Sequence, residues 1–240
     1  MDRLKEYIIN ITDEQVRQFE LCLTNLIDKN KVMNLTAITE RDDVIVKHFM
    51  DSVAVERVYP EIALKKLSVI DVGTGAGFPG IPLKIAFPQL DMTLLDSLNK
   101  RVNYLNEQIV SIGLDNDKGS CTAIHSRAED GARKKELRDA FDIAVSRAVA
   151  ALPVLLEYCL PFVKPGGVFI AYKSGEIEEE LSSAGNALKK LNGKLREVKK
   201  ITLTGSDNEN IERSFVIIEK TAPTPKQYPR KAGTASKDPL

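Results

Sequence analysis

Two hydrophobic periods divide the chain. Residues 12–30, "TDEQVRQFELCLTNLIDKN", place Val16, Phe19, Leu23, Leu26 and Ile27 on one helical face. Thr12 opens this run with Gln15 three positions on, the signature of a capping box. A second helix is expected from near Asp42 through "VIVKHFMDSVAVERV" to Pro60. From residue 67 the pattern changes. "LSVIDV" (67–72), "MTLLD" (92–96), "CTAIHS" (121–126), "FDIAVSRA" (141–148) and "GVFIAYK" (167–173) are short apolar runs, as strands buried on both faces must be. Helical stretches separate them. "KRVNYLNEQIVSIG" sets Val102, Leu105, Ile109 and Ile112 on one face and stops at Gly113. "LPVLLEYCLPF" reads as a short apolar helix, and "EIEEELSSAGNALKKLNG" as an amphipathic one with a glycine at its end.

Strand alternating with helix predicts an α/β fold with a parallel sheet and right-handed crossovers. The ending differs. "KLREVKKITL" and "SFVIIEK" are two more strands with only "TGSDNENIER" between them. That spacer is too short for a helical crossover, so an antiparallel hairpin is predicted, making seven strands in all. The expected organisation is a helical N-terminal extension over 1–62, the sheet domain over 63–222, and an irregular basic tail over 223–240.

Composition narrows the partners. Apolar residues make up 43% of the 240, enough for a core, and only 28% are charged, so disorder is not expected. Lys plus Arg and Asp plus Glu both number 34, so a polyanion partner needs a local basic surface. Two candidates exist: "KKLNGKLREVKK", and "KQYPRKAG" with Lys226, Arg230, Lys231 and no acid. Both suit phosphate contacts, and both suit an ordinary solvated surface. Cys22, Cys121 and Cys159 lie far apart in apolar runs, and His48 and His125 are the only histidines. Buried inert thiols and no metal site are expected. No apolar run approaches the ~20 residues of a membrane span. The charged start "MDRLKEYIIN" lacks a signal-peptide core. These features point to the cytoplasm and away from a membrane.

The candidate chemistry centres on "DVGTGAGFPG", residues 71–80. In one register Gly75, Gly77 and Gly80 spell GxGxxG, a dinucleotide fingerprint. In the other, Asp71, Gly73, Gly75 and Gly77 spell D-x-G-x-G-x-G, the loop of class I S-adenosylmethionine (SAM)-dependent methyltransferases. Asp96 ends the next strand, where an acid accepts hydrogen bonds from a ribose diol, and it serves either register. The second register is favoured. The apolar run ends at Val72, so the turn starts at Gly73. Pro79 has no N–H to give a pyrophosphate. Five crossover strands plus a hairpin match the seven-stranded, Rossmann-like methyltransferase sheet, and no sequence remains for a second catalytic domain. A tight turn in some other α/β protein is the plain alternative.

The chain also resembles the RsmG (GidB) family of 16S ribosomal RNA guanine-N7 methyltransferases. The matching segments are "NLTAI" (34–38), "KHFMDS" (47–52), "DVGTGAGFPGIPLKI" (71–85), "LLDSLNKR" (94–101), "SRAED" (126–130), "FDIAVSRAVAALP" (141–153), "AYKSG" (171–175) and "YPRKAGTASKDPL" (228–240). One departure is "DNDKGSCTAI", slightly longer than the family usually has before the third strand. The resemblance implies that Gly73 and Phe78 contact SAM, that Ala128 and Glu129 hold its adenine end, and that Arg147 sits beside the methyl donor and the target base. It also implies a 16S ribosomal RNA or small-subunit assembly particle as partner. A monomer is expected.

Guanine nitrogen 7 has a free lone pair and no proton, so its methylation requires no general base. Positioning is then the main demand on the protein. In keeping with this, "SRAV" follows the fourth strand where an exocyclic-amine methylase carries Asp/Asn-Pro-Pro-Tyr. Arg147 suits the guanine or phosphate edge, or else a surface ion pair. His48 and Asp51, at i and i+3, line either the acceptor side or a solvated helix face. Lys173 faces phosphate or solvent, Glu129 holds adenine or caps a helix, and Arg230 offers a phosphate contact. Two other functions fit the same pattern: a methyltransferase of this fold acting on another RNA or a small molecule, and a non-catalytic nucleoside-binding module.

Overall fold

The computed structural model describes residues 1–8 and 10–240. Seven strands form one sheet in the order β3-β2-β1-β4-β5-β7-β6. They are β1 Ser68–Val72, β2 Asp91–Asp96, β3 Cys121–His125, β4 Phe141–Arg147, β5 Val163–Ser174, β6 Gly193–Thr204 and β7 Asn210–Lys220. The first five run parallel, and β7 is antiparallel to both β5 and β6. This is the predicted seven-stranded fold.

The apolar runs follow from burial on two sides. Ile143, Val145, Val168 and Ile170 face one core, while Ala144, Phe169 and Ala171 face the other. Alternate residues of one strand therefore enter different cores, and both must be apolar. The first core also takes in Phe19, Leu23, Leu26, Val46 and Phe49, so the N-terminal helices close this face of the sheet.

Thr12 and Gln15 form the capping box, and the helix Asp13–Met33 follows. Gln15 reaches further, donating from Nε2 to the carbonyls of Ile85 and Ala86, each at 2.9 Å, and so docks the helix against the helix Gly80–Ala86. The second predicted helix is one continuous coil of changing pitch. It runs α-helical over Arg41–Val44, π-helical over Ile45–Met50, α-helical over Asp51–Val53 and 3₁₀ over Ala54–Arg57. The wide turn carries Lys47 and His48, and such turns are common at functional sites.

Two expectations need correction. The stretch 176–193 forms two short helices, Glu178–Ser183 and Gly185–Lys190, broken at Ala184. The hairpin is longer than its apolar runs, leaving a loop of only 205–209. The tail 223–240 is irregular apart from the helix Thr234–Lys237, and it is held in place: Ala235 is buried and Arg138 donates to the carbonyls of Thr224 and Tyr228. The extended loop before β3 is anchored by Lys84. This buried amine donates to Pro88, Leu90 and Gly119 carbonyls at 2.7, 2.9 and 2.6 Å. All three cysteines are buried free thiols.

The order of strands reverses between β1 and β4, where an open α/β sheet leaves a crevice at its carboxyl edge. Replacing Thr12 by Ala removes the cap on the helix that covers one face. Urea denaturation should register a loss of about 1 kcal/mol; an unchanged midpoint would mean that packing alone holds this helix.

Candidate active site at the carboxyl edge of the sheet

The glycine turn begins directly after β1. Gly73, Gly75 and Gly77 all have positive φ, at +75°, +61° and +99°. A Cβ at Gly73 would lie 2.7 Å from Val149, and one at Gly77 2.4 Å from Ile81. Both dihedrals and space therefore demand glycine at these positions. Asp71 pins the turn at both ends: its Oδ2 accepts from Thr74 Oγ1 at 2.6 Å and from Gly80 N at 2.8 Å. Burial pushes its carboxyl up to about 6, against those two hydrogen bonds. Its Oδ1 is buried without a partner. The turn thus has the register that starts at Gly73.

Asp96 closes β2 beside this turn. Its Oδ2 accepts from Gly75 N and its Oδ1 from Leu98 N, each at 2.9 Å, and Arg101 lies 3.6 Å away. The carboxylate is fixed between the turn and the following helix. It lines a trough with Gly73, Leu95, Ser126, Ala128 and Glu129. Glu129 is almost fully buried and its Oε1 accepts from Gly233 N at 2.8 Å, so the carboxylate takes a backbone donor from the tail rather than capping a helix.

On the other side of Gly73 the trough reaches Thr36, His48, Phe78 and Arg147. Arg147 ends β4 and donates from Nη1 to Asp51 Oδ2 at 2.6 Å. The other oxygen of Asp51 accepts from Arg213 Nε at 2.6 Å. Asp51 is 2% exposed, so one buried carboxylate holds two guanidinium groups. His48 stacks on Phe78 with ring centroids 4.5 Å apart, its Nε2 2.9 Å from Thr36 Oγ1 and its Nδ1 3.3 Å from Arg147 Nη2. Burial, helped by the Arg147 charge, pulls this imidazole down to about 3. It is neutral at physiological pH and cannot serve as an acid there.

Of the residues singled out from the sequence, Gly73, Gly75, Phe78, Asp96, His48 and Arg147 line one stretch of the trough. Ala128 and Glu129 line its far end. Asp51 and Lys173 line an adjoining hollow. Lys173 donates to Ala150 O at 2.8 Å and pairs with Glu180 at 2.6 Å. Gly77 sits beneath, packed on Ile81 and Leu105. Arg230 lies apart, forked onto buried Glu157. Sequence reasoning missed Arg213, because "NIER" was assigned to the hairpin spacer, whereas Arg213 lies within β7 opposite Ser174. It also missed Thr36 and Glu180.

The donor set suits a nucleoside carrying a positive charge. It offers two fixed carboxylates, a turn bare of side chains and apolar walls from Leu95 and Val149. A family model described as rRNA small subunit methyltransferase G matches residues 15–211. The ribosomal RNA small subunit methyltransferase G of Alkaliphilus metalliredigens is 48% identical over 239 residues, covering 100% of this chain and 96% of that protein. Its counterpart in Lachnoclostridium phytofermentans is 49% identical over 237 residues, covering 99% and 94%. Among solved structures, a SAM-dependent methyltransferase from Methanosarcina mazei aligns with TM-score 0.52 at 17% identity, covering 68% of this chain and 98% of that one. TYW2 of M. jannaschii, solved in complex with AdoMet, aligns with TM-score 0.52 at 18% identity, covering 71% and 76%. These two likenesses are to the fold.

Removing the shared carboxylate leaves two partly buried cations unpaired. Asp51→Ala should therefore lower unfolding stability by about 3 kcal/mol or more, as breaking a buried pair does. Chemical denaturation measures this, and a loss below about 1 kcal/mol would mean that water already screens the cluster.

Proposed function

The chain belongs to the GidB family of small-subunit ribosomal RNA methyltransferases, and from that premise we propose how its trough serves the reaction. The activity is SAM-dependent methylation of 16S ribosomal RNA, and the proposed acceptor is nitrogen 7 of a guanine. One observation carries the division of labour: Arg147, held by Asp51 beside the His48–Phe78 stack, adjoins the Gly73–Asp96 trough. Asp96 and Glu129 would grip the ribose and adenine of SAM, with the Gly73–Gly75 backbone against its methionine side. SAM, when bound, supplies an electrophilic methyl group on a cationic sulfur.

The residues of the chain then have three tasks. The turn and Asp96 fix one reactant, and the Arg147 side fixes the other, so that the two meet in line. Asp51 offsets one of the two guanidinium charges beside the proposed guanine, which gains positive charge as its nitrogen 7 is methylated. His48 stays neutral and adds no further charge. Nitrogen 7 carries no proton, so no group at the site has to remove one. Arg213 and Lys47 border the hollow next to Arg147, where an anionic backbone can lie. The proposed partner is the RNA itself or a small-subunit assembly particle, met in the cytoplasm by a monomer. No helix among the described residues is long and apolar enough to cross a membrane.

Small-subunit RNA from cells with and without this protein, compared by borohydride–aniline cleavage at 7-methylguanine, tests the acceptor. A cleavage site lost with the protein is expected, and an identical pattern would rule the acceptor out. Asp96→Ala should weaken SAM binding about tenfold or more, from the loss of charge-assisted ribose bonds; calorimetry with unchanged affinity would show the acid to be misplaced. The rate should also show no His48 ionisation near pH 6.5. With the His48 value at about 3, the imidazole is neutral across pH 5.5–8. Asp71, held near 6 at the glycine turn, titrates alike in both proteins, so wild type and His48→Asn should share one profile there, and an acid limb seen only in wild type would contradict the assignment.

A further inference from the structure

The segment 223–240 lacks regular structure apart from one short helix, yet it is tightly held. Arg230 donates from Nη2 to Glu157 Oε2 at 2.8 Å and from Nε to both carboxylate oxygens at 3.0 and 3.1 Å. Its backbone N–H adds a bond to Glu157 Oε1 at 2.6 Å. Glu157 is 1% exposed, on the helix Leu152–Cys159. Such a carboxylate is costly to leave unpaired, so this fork is a strong anchor. Arg230 also clips the segment to itself, donating from Nη2 to Asp238 O at 2.7 Å. Between these two points lies Gly233, whose φ of +82° turns its N–H onto Glu129 Oε1.

We infer that the segment from Tyr228 to Leu240 is a working part of the cofactor site, in which Gly233 orients Glu129 and Arg230 fastens the segment in place. This rests on the cofactor trough proposed above. The link is short. Glu129 and Tyr158 both line the trough, and Tyr158 is the neighbour of Glu157 on the same helix. With Oε1 occupied by Gly233, the other oxygen of Glu129 is the one free to accept from the amino edge of adenine. A carboxylate held in advance binds better than one that must first be ordered. Arg230 is then a positioning residue acting through Glu129. A guanidinium forked onto a buried acid is not available for an RNA phosphate, so its basic character serves the inside of the protein.

Titration with SAM and steady-state kinetics on 16S RNA separate the two roles. Arg230→Ala should raise the Kd and KM for SAM about tenfold, the effect of losing one oriented charge-assisted bond. kcat at saturating SAM and the KM for RNA should change by less than about twofold. Arg230→Lys, which keeps the charge without the fork, should recover part of the loss. A chain ending at Ala232 keeps the Arg230–Glu157 pair but lacks the Gly233 N–H, and it should lose SAM affinity to a similar degree. It carries the test if Arg230→Ala does not fold. Wild-type SAM affinity in the truncated chain, or an Arg230→Ala defect confined to the KM for RNA, overturns the inference. A wild-type protein that binds no SAM would sink the cofactor reading and this inference together.

Discussion

One buried carboxylate organises the site. Asp51 comes from the helical coil near the N-terminus, Arg147 from the end of β4 and Arg213 from β7, and the three meet with both oxygens of the acid engaged at 2.6 Å. No pair of them is near in sequence. The contact therefore forms only once the N-terminal helices have closed over the sheet. Apolar burial drives that closure, through Phe19, Phe49 and their neighbours, but it is not directional. The two arginine hydrogen bonds to Asp51 supply direction, and Arg147 in turn lies beside His48 and Phe78.

The same cluster sets the electrostatics of the mouth. Two guanidinium groups and one carboxylate leave a net positive charge beside the trough, suited to an anionic backbone and masked in the chain's overall neutrality. Burial keeps the neighbouring imidazole neutral, so that charge does not vary across physiological pH. On the far side of Gly73 the two buried carboxylates are Asp96 and Glu129, with Arg101 3.6 Å from Asp96 and Arg127 at the rim. In the proposed function the cationic nucleoside takes the side with the two carboxylates and the polyanionic acceptor the side with the two guanidinium groups. On that proposal the protein contributes geometry and field rather than proton transfer.

Much of this was legible in the sequence, for physical reasons. Strands buried on two faces must be apolar throughout, so β1 to β5 stood out, as did the glycines that their turn demands. Asp96 is singled out because a strand end beside a proposed nucleoside site calls for an acid there, and it does line the trough. His48 and Asp51 could be placed on one helical face, but their partner Arg147 lies some hundred residues away, and spacing carries no trace of it. The half-exposed β6 and the polar start of β7 hid the true hairpin, and with it Arg213. The tail reads as an outward basic surface, and Lys226 and Lys231 are indeed exposed, but Arg230 turns inward. The signal for that one arginine is Glu157, a lone acid inside the apolar helix "LPVLLEYCLPF", which calls for a buried cation.

The central claim is that the glycine turn, Asp96 and the Asp51–Arg147 pair border a single cavity holding the methyl donor. A crystal structure with S-adenosylhomocysteine addresses it directly. The account predicts the ribose on Asp96, the adenine beside Ala128 and Glu129, and the sulfur facing an intact Asp51–Arg147 pair. Density for the ligand away from the Gly73 turn, or an Arg147 drawn off Asp51 to reach it, would contradict it.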